Sequence, residues 1–167
     1  MRTIGIDPGT ATMGWGVVEQ RAGGVSLVAC GAITTPREHP QPQRLAQIYT
    51  ELVQILTTYQ PQSAGVEELF FSKNVTTALT VGQARGVALL ALAQAGVDIH
   101  EYKPMFVKQT VAGYGKADKA QMQQVVKLTL RMETIIKPDD AADAVAIALC
   151  HLYNAPMMQR IADARRS

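Results

Sequence analysis

The chain has 167 residues, of which 47% are hydrophobic and 18% are charged, so it can bury the core of one folded domain. This composition excludes a disordered chain, and no uninterrupted apolar run approaches the roughly 20 residues that a membrane-spanning helix needs. A strand pattern follows the first two residues directly, so we expect no signal peptide and a cytoplasmic protein.

The formal net charge of +2 conceals an uneven distribution of charge. Residues 1–72 carry six acidic and four basic side chains, whereas residues 103–131 carry six basic side chains and one acidic side chain. A basic half beside an acidic half is typical of proteins that meet a polyanion near a carboxylate cluster. An ordinary solvated surface would give the same pattern, so charge alone does not decide the function.

The first predicted strand ends on a carboxylate. Ile4 and Ile6 favour a buried strand that leads into Asp7, and Pro8 and Gly9 stop the strand immediately afterwards. A carboxylate at the end of an apolar strand is costly to bury unless a partner neutralises it. Asp7 is therefore either a turn residue that accepts backbone hydrogen bonds or a metal ligand held on a rigid edge.

The next elements bring a second carboxylate to the end of a strand. Residues 14–19 and 24–30 are predicted strands, and the short turns between them predict an antiparallel meander. Apolar residues at steps of three and four predict an amphipathic helix over 45–59. Residues 63–67 form the fourth predicted strand, which ends on Glu67. If the first and fourth strands are neighbours, their two carboxylates lie about 5 Å apart.

The loop after this strand and the helix that follows are each open to two interpretations. Phe70 and Phe71, with Lys73 close behind, fit either core packing or stacking on nucleobases. The next predicted helix runs to residue 95, and its small apolar face suits packing on the sheet or on a second subunit. That face consists of Ala78, Gly82, Gly86, Leu89 and Leu90. A fifth strand over 96–102 is predicted to run parallel to the fourth.

A basic segment follows. A short helix from residue 104 carries Lys108, and a glycine-rich loop ends on Lys116. Asp118 and Gln121 have the spacing of a capping box for a helix that begins near Lys119 and continues to about residue 131. Capping is a sufficient role for Asp118, so we do not assign it to a functional site.

The last predicted helix opens with three aspartates. Asp139 can serve as the N-cap, and Asp140 and Asp143 are three residues apart, which puts both on one face of the first turn. The helix dipole favours acids at this position. Asp143, however, lies among alanines of a helix built for burial, where an unpaired charge is disfavoured. We expect His100 to be structural and His151 to lie outside the site.

Three separate predicted elements therefore deliver four carboxylates, which are Asp7, Glu67, Asp140 and Asp143. Converging carboxylates raise one another's pKa unless cations neutralise them. Ligands that are all oxygen atoms select Mg²⁺ or Mn²⁺ over zinc, and two such ions can catalyse phosphodiester hydrolysis. No Cys/His cluster competes with this interpretation, because Cys30 and Cys150 lack metal-like spacing and are expected to be free thiols.

Five short motifs run in order along the chain. They are Gly5-Ile6-Asp7-Pro8-Gly9, Val66-Glu67 followed by Phe70, Gly82-Gln83-Ala84-Arg85-Gly86-Val87, Val107-Lys108-Gln109-Thr110 and Asp140-Ala141-Ala142-Asp143-Ala144. Together they resemble the RuvC-type Holliday-junction resolvases of bacteria, over nearly the whole chain up to about residue 153. The resemblance implies an α/β, RNase H-like fold with a five-stranded mixed sheet, its first three strands antiparallel, and helices on both faces.

The resemblance also implies a function. It implies a homodimer that makes paired, symmetric nicks in four-way junction DNA during recombination and repair, with a RuvA–RuvB branch-migration complex as partner. It implies that the catalytic metal ligands are Asp7, Glu67, Asp140 and Asp143. Phe70, Lys108 and Lys119 match DNA-contacting positions, and we assign three further DNA contacts to Lys73, Arg85 and Lys116. Some relatives carry His at the position of Asp140, and Glu68 stands where relatives often have an amide.

The boundaries and three alternative functions complete the sequence analysis. We expect a nuclease domain over 1–154 and a basic, flexible tail over 155–167. Residues 6–10 also resemble the first phosphate loop of actin-like ATPases and sugar kinases, but those enzymes need two such domains. A non-catalytic junction-binding module would gain nothing from four carboxylates facing phosphates. A related nuclease acting on RNA stays open, because nothing in the sequence distinguishes the two nucleic acids.

Overall fold

The structure is a computed structural model that describes the backbone of residues 1–69 and 75–164, with side chains for 1–69 and 76–155. Strands and helices follow one another along this part of the chain. They are β1 (Arg2–Asp7), β2 (Thr12–Arg21), β3 (Gly24–Thr34), α1 (Gln41–Tyr59), β4 (Ser63–Glu67), α2 (Val75–Gln94), β5 (Asp98–Tyr102), α3 (Pro104–Ala112), α4 (Lys119–Thr129) and α5 (Asp139–Ala164).

The strands form one five-stranded mixed sheet in the order β3-β2-β1-β4-β5. β1 pairs antiparallel with β2, and β2 pairs antiparallel with β3. β4 runs parallel to β1 and β5 runs parallel to β4, because helices cross over between these strands. The predicted meander, the mixed sheet and the neighbouring positions of the first and fourth strands are all confirmed.

The two faces of the sheet carry different helices. Alternate strand residues such as Ile4, Ile6 and Val66 are fully buried against α1 and α2, where Leu52 and Leu92 complete a core. A second core on the opposite face contains α4 and α5 together with buried residues of α3 and β5. Helices therefore cover both faces of the sheet, as predicted.

Glycines bring α5 unusually close to the sheet. A Cβ atom at Gly5 would overlap the Ala144 carbonyl and the backbone of Ala148, and a Cβ atom at Gly16 would overlap Val145. At Gly65 the same atom would lie 3.0 Å from the His151 Cβ. Because only glycine permits this approach, the backbone of α5 lies directly on β1, β2 and β4. This packing fixes the position of the first turns of α5 relative to the end of β1.

Several predicted boundaries differ from the structure. α1 begins at Gln41 rather than near residue 45, because Pro42 is tolerated in a first turn whose N–H groups lack helical partners. Asp139 is the first helical residue of α5 and not its N-cap, and α5 continues to Ala164, into the segment predicted to be a tail. The capping box of Asp118 and Gln121 is confirmed. The domain boundary at residue 154 stays a prediction.

Candidate active site

Two acids leave the sheet side by side. Ile6 pairs with Val66 in the parallel ladder between β1 and β4, so the next residues, Asp7 and Glu67, lie at the same edge of the sheet. The side chains of both acids are half-buried. The geometry expected from two neighbouring strands that each end on a carboxylate is therefore present.

The first turns of α5 bring two more acids to this edge. A Cβ atom at Gly14, the residue that pairs with Asp7 in β2, would overlap the backbone of Asp140. The absence of a side chain at Gly14 thus allows Asp140 to lie close to the end of β1. Asp143 follows three residues later and lines a cleft of about 220 Å³ together with Glu67. The four predicted acids therefore occupy one region.

Electrostatics connects these acids. Burial, together with the charges of Glu67, Asp143 and Asp140, raises the pKa of Asp7 to about 7. Burial also raises the pKa of Glu67 to about 7, helped by Asp143 and opposed by Lys108. The pKa of Asp143 is likewise raised by burial. These three carboxylates are thus destabilised as anions and would be stabilised by a nearby cation.

Two lysines line the same cleft. The Nζ atom of Lys119 lies 3.3 Å from Oδ2 of Asp143 and 3.3 Å from Oδ2 of Asp139. Lys108 projects from α3 into the cleft near Glu67. Two of the four predicted DNA-contacting lysines therefore stand beside the acids. A phosphate placed over the acids would meet two ammonium groups.

Sequence analysis missed the role of Asp139. Its Oδ1 atom accepts hydrogen bonds from Lys137 at 2.9 Å and from Gln123 at 3.0 Å, and Lys119 approaches its other oxygen. The Lys137 bond, followed by those from Lys119 and Gln123, lowers the pKa of Asp139 to about 2. Asp139 thus ties the start of α4 to the start of α5 and holds Lys119 at the rim of the cleft. Its position one turn before Asp143 was the available sequence signal.

The donor set fits hard divalent cations through its chemistry. Asp7, Glu67, Asp140 and Asp143 offer oxygen ligands only, which Mg²⁺ and Mn²⁺ prefer. Among the described residues, however, no three His, Cys, Asp or Glu side chains are arranged to hold an ion as they stand. The Asp143 carboxylate is directed to Lys119 instead. Binding of an ion therefore requires side-chain rearrangement at this rim.

The structure gives Arg85 a role that the sequence did not suggest. Its Nε atom donates a hydrogen bond to the Glu67 carbonyl at 3.1 Å, and its guanidinium forms an ion pair with Glu101 of β5. The Arg85 side chain is only 17% exposed. Arg85 thus fixes the backbone of a predicted metal ligand from helix α2. The predicted DNA contact of Arg85 stays a prediction.

An Arg85→Met variant separates these two roles. If Arg85 acts by holding Glu67, we expect the variant to cleave about tenfold more slowly, as when other groups that orient metal ligands are removed. The salt dependence of junction binding should then be unchanged. Single-turnover cleavage rates and binding titrations at several salt concentrations measure both effects. A Glu101→Gln control keeps the bond to Glu67 and should lose less activity. A salt slope reduced by about one would instead establish the DNA contact.

The remaining predicted residues have varied surroundings. Lys116 is exposed in the loop between α3 and α4 and forms no hydrogen bond or ion pair with any residue that the structure describes. Phe70 and Lys73 lie outside the described residues. His151 is fully buried and shares a 2.8 Å hydrogen bond with the Tyr102 hydroxyl, and His100 pairs with Asp98 at 3.0 Å. Both histidines lie away from the four acids, in agreement with a structural role.

Taken together, the fold and the site define a class of protein. A mixed sheet in the order β3-β2-β1-β4-β5, with carboxylates at the ends of β1 and β4 and at the start of the last helix, is the arrangement of an RNase H-like nuclease. The predicted fold class is thereby confirmed.

Comparison with known proteins identifies the family. The model of the family described as "Crossover junction endodeoxyribonuclease RuvC" matches residues 3–151. A protein of that name from Chloroflexus aggregans is 66% identical over 160 residues, which cover 96% of this chain and 98% of the relative. Another from a Roseiflexus species is 62% identical over 164 residues, with 98% of each chain covered. The chain belongs to the RuvC family of crossover junction endodeoxyribonucleases.

A solved structure supports this assignment. The structure described as Thermus thermophilus RuvC in complex with Holliday junction substrate superimposes with a TM-score of 0.88 and 36% identity, covering 94% of this chain and 96% of that one. The chain is accordingly a nuclease. The interpretations as an ATP-binding protein or a non-catalytic module find no support.

Proposed function

We propose that the protein resolves Holliday junctions by paired, symmetric nicks, using two Mg²⁺ or Mn²⁺ ions in each active site. Asp7, Glu67, Asp140 and Asp143 would hold the ions, which supply an activated water and stabilise the leaving oxygen when bound. The observation that carries the proposal is the convergence of two strand-end acids with two acids of α5. The junction-bound Thermus relative supports four-way DNA as the substrate.

The chain's own residues would each contribute a defined step. Asp7 and Glu67 are attached to paired strands, so their carboxylates are held on a rigid edge. Lys119 balances the charge of Asp143 in this structure, and its ammonium would be available to a DNA phosphate if an ion neutralised Asp143 instead. Asp139 holds the ammonium of Lys119 at the rim of the cleft. Lys108 faces the same cleft and would hold the phosphate from the side of α3.

A gel assay with a mobile four-way junction, a matching linear DNA duplex and an RNA duplex tests the function. We expect paired nicks in the junction alone with Mg²⁺ or Mn²⁺, and no cleavage with EDTA. Binding without cleavage in any metal would contradict the enzymatic assignment. Equal cleavage of the linear DNA would contradict junction selectivity, and preferred cleavage of RNA would favour the alternative RNA-directed nuclease.

The proposed paired nicks require two active sites, and α2 offers a surface for a homodimer. Leu79 is 64% exposed and Leu90 is 52% exposed, and a Cβ atom at Gly86 would meet nothing within 4 Å. These residues recur along one side of the helix. Residues Thr76–Gln94 have a mean hydropathy of 1.2, and only 22% of this stretch is buried. By length and composition alone, this helix could therefore also cross a membrane. One such helix is weak evidence for that, and we propose that a second copy covers it.

A Leu90→Glu variant tests this interface. We expect it to be monomeric in analytical ultracentrifugation at micromolar concentration and to nick one strand at a time, because a buried, unpaired charge opposes association. Leu128→Glu is the matched control, since Leu128 is 72% exposed on α4, away from α2. If the Leu90→Glu protein stayed dimeric, the dimer interface would have to lie on another surface.

Two further assignments rest on the family alone and stay predictions. They are the cytoplasmic location and the coupling to a RuvA–RuvB branch-migration complex.

A further inference from the structure

A second cleft adjoins the acidic cluster. Its volume is about 390 Å³, and it is lined by Asp140, the turn from Gly9 to Thr12, Arg44 of α1 and Thr80 of α2. It shares no lining residue with the cleft that contains Asp143 and the two lysines. Asp140 and Asp143 thus open into different clefts, and each cleft contains a basic side chain.

Buried threonines hold Arg44 in place. The Nε atom of Arg44 donates a hydrogen bond to the Thr35 hydroxyl at 2.7 Å, and that hydroxyl donates to the Thr10 carbonyl at 2.6 Å. The Thr10 hydroxyl in turn donates to the Thr80 carbonyl at 2.8 Å. Thr35 is 3% exposed and Thr10 is 6% exposed, so this chain of hydrogen bonds is shielded from water. One network therefore joins α1, the end of β3, the turn after β1 and α2.

The terminal nitrogens of Arg44 have no partner in the described part of the chain. Its two terminal nitrogens carry four N–H groups, and none of them meets an acceptor or a carboxylate among the residues that the structure describes. Asp140 lines the same cleft but forms no ion pair with Arg44. Arg44 is only partly buried, so its terminal nitrogens are open to the cleft and can meet a ligand there. A planar fork of donors held by its Nε atom matches a phosphate in particular.

We propose that Arg44 binds a backbone phosphate of the DNA strand that is being cut, close to the scissile phosphate and within the cleft beside Asp140. The phosphate oxygens accept hydrogen bonds from the terminal nitrogens of Arg44, while Thr35 keeps the guanidinium oriented. Lys108 and Lys119 face the other cleft. Basic side chains in both clefts beside the carboxylates therefore contact the strand. The inference rests on the proposed function, because it takes junction DNA as the ligand.

The salt dependence of junction binding in EDTA is the first test. Loss of one phosphate contact lowers the slope of log Kd against log salt by about 0.9. Arg44→Gln should show this decrease and bind about tenfold more weakly. Arg44→Lys, which keeps the charge, should keep most of the slope. The matched control is Arg21→Gln at the end of β2, which should keep the slope of the parent protein.

Neutral methylphosphonate linkages, placed one at a time around the cleavage site, provide the second test. We expect one position at which the modification weakens the parent protein but not Arg44→Gln, because the contact is already lost. An unchanged salt slope for a folded Arg44→Gln protein, or no such position, overturns the inference. If the parent protein itself neither binds nor cuts the junction, the proposed function has failed instead. Thermal unfolding midpoints of all variants establish that they are folded.

Discussion

An Asp7→Asn variant is expected to lose junction cleavage by more than about a hundredfold while binding the junction as tightly as the parent protein or tighter. Groups that merely orient metal ligands cost up to about a hundredfold in other enzymes, so loss of the ligand itself should cost more. Binding is spared because the change removes a negative charge that faces phosphates. The amide has nearly the same shape as the carboxylate, so the half-buried site stays filled.

Single-turnover cleavage with Mg²⁺ or Mn²⁺ and binding titrations in EDTA measure the two effects. Asp98→Asn is the control, because the exposed Asp98 side chain bonds only to His100 among the described residues and lies at the opposite end of β5 from Tyr102 and the active-site edge. Full cleavage by Asp7→Asn would remove Asp7 from the metal ligands. Equal losses of cleavage and binding would indicate damage to the fold, which a lowered unfolding midpoint would reveal.

The convergence of the acids was predictable because local rules determine it. A short apolar strand that ends on a carboxylate occurs twice, at Asp7 and Glu67, and neighbouring parallel strands end at the same edge. The close packing of α5 was only partly readable from sequence. Glycines at positions 5, 16 and 65 weaken strands locally. Their role in letting α5 approach the sheet is seen only in the tertiary structure.

The partners of the basic residues were not predictable from spacing. Arg85 and Lys119 both carry a positive charge that suggests DNA binding. In the structure, however, Arg85 is bound by Glu101 of β5 and by the Glu67 carbonyl. These contacts join residues that are distant in sequence, and no periodic pattern encodes them. Arg44 was overlooked for the opposite reason. Its position on the predicted helix suggests only a solvated cation. In the tertiary structure, a hydrogen bond to Thr35 orients its side chain toward the cleft.

The clustering of acids also predicts how stability depends on pH, and Asp7→Asn is again the informative variant. In EDTA, we expect the variant to unfold at a temperature several degrees higher than the parent protein at pH 8, with a much smaller difference at pH 5. Burial and the charges of its neighbours raise the folded-state pKa of Asp7 from 3.8 to about 7. Between these two values the folded protein keeps a proton that the unfolded chain has released.

The sign of the effect follows from this difference in bound protons. Below about pH 4 both states are protonated and the site imposes no electrostatic penalty. As the pH rises from about 4 to about 7, the unfolded chain releases protons that Asp7 and Glu67 keep in the folded state, and the stability of the parent protein falls until both groups ionise there too. An amide at position 7 cannot ionise and relieves Glu67 of a like charge. In a domain of this size each kcal/mol corresponds to about 2–4 °C.

His151 changes stability in the opposite direction and must be separated from this effect. Burial lowers its pKa from 6.5 to about 4, so the unfolded chain binds an extra proton between those values and stability falls as the pH drops. This contribution is common to parent and variant. The difference between their unfolding midpoints therefore isolates the acidic cluster, and it should increase from pH 5 to about pH 7 and then level off.

Divalent ions should reverse the order of stability. An ion that binds only the folded protein stabilises it in proportion to the logarithm of its concentration, and the parent protein has the complete ligand set. At pH 8 with millimolar Mg²⁺ or Mn²⁺, the parent protein should therefore unfold at a higher temperature than Asp7→Asn. Differential scanning fluorimetry across pH, with EDTA and with each metal, provides the measurement. A midpoint difference that is independent of both pH and metal would mean that the four acids do not act as one cation-binding cluster.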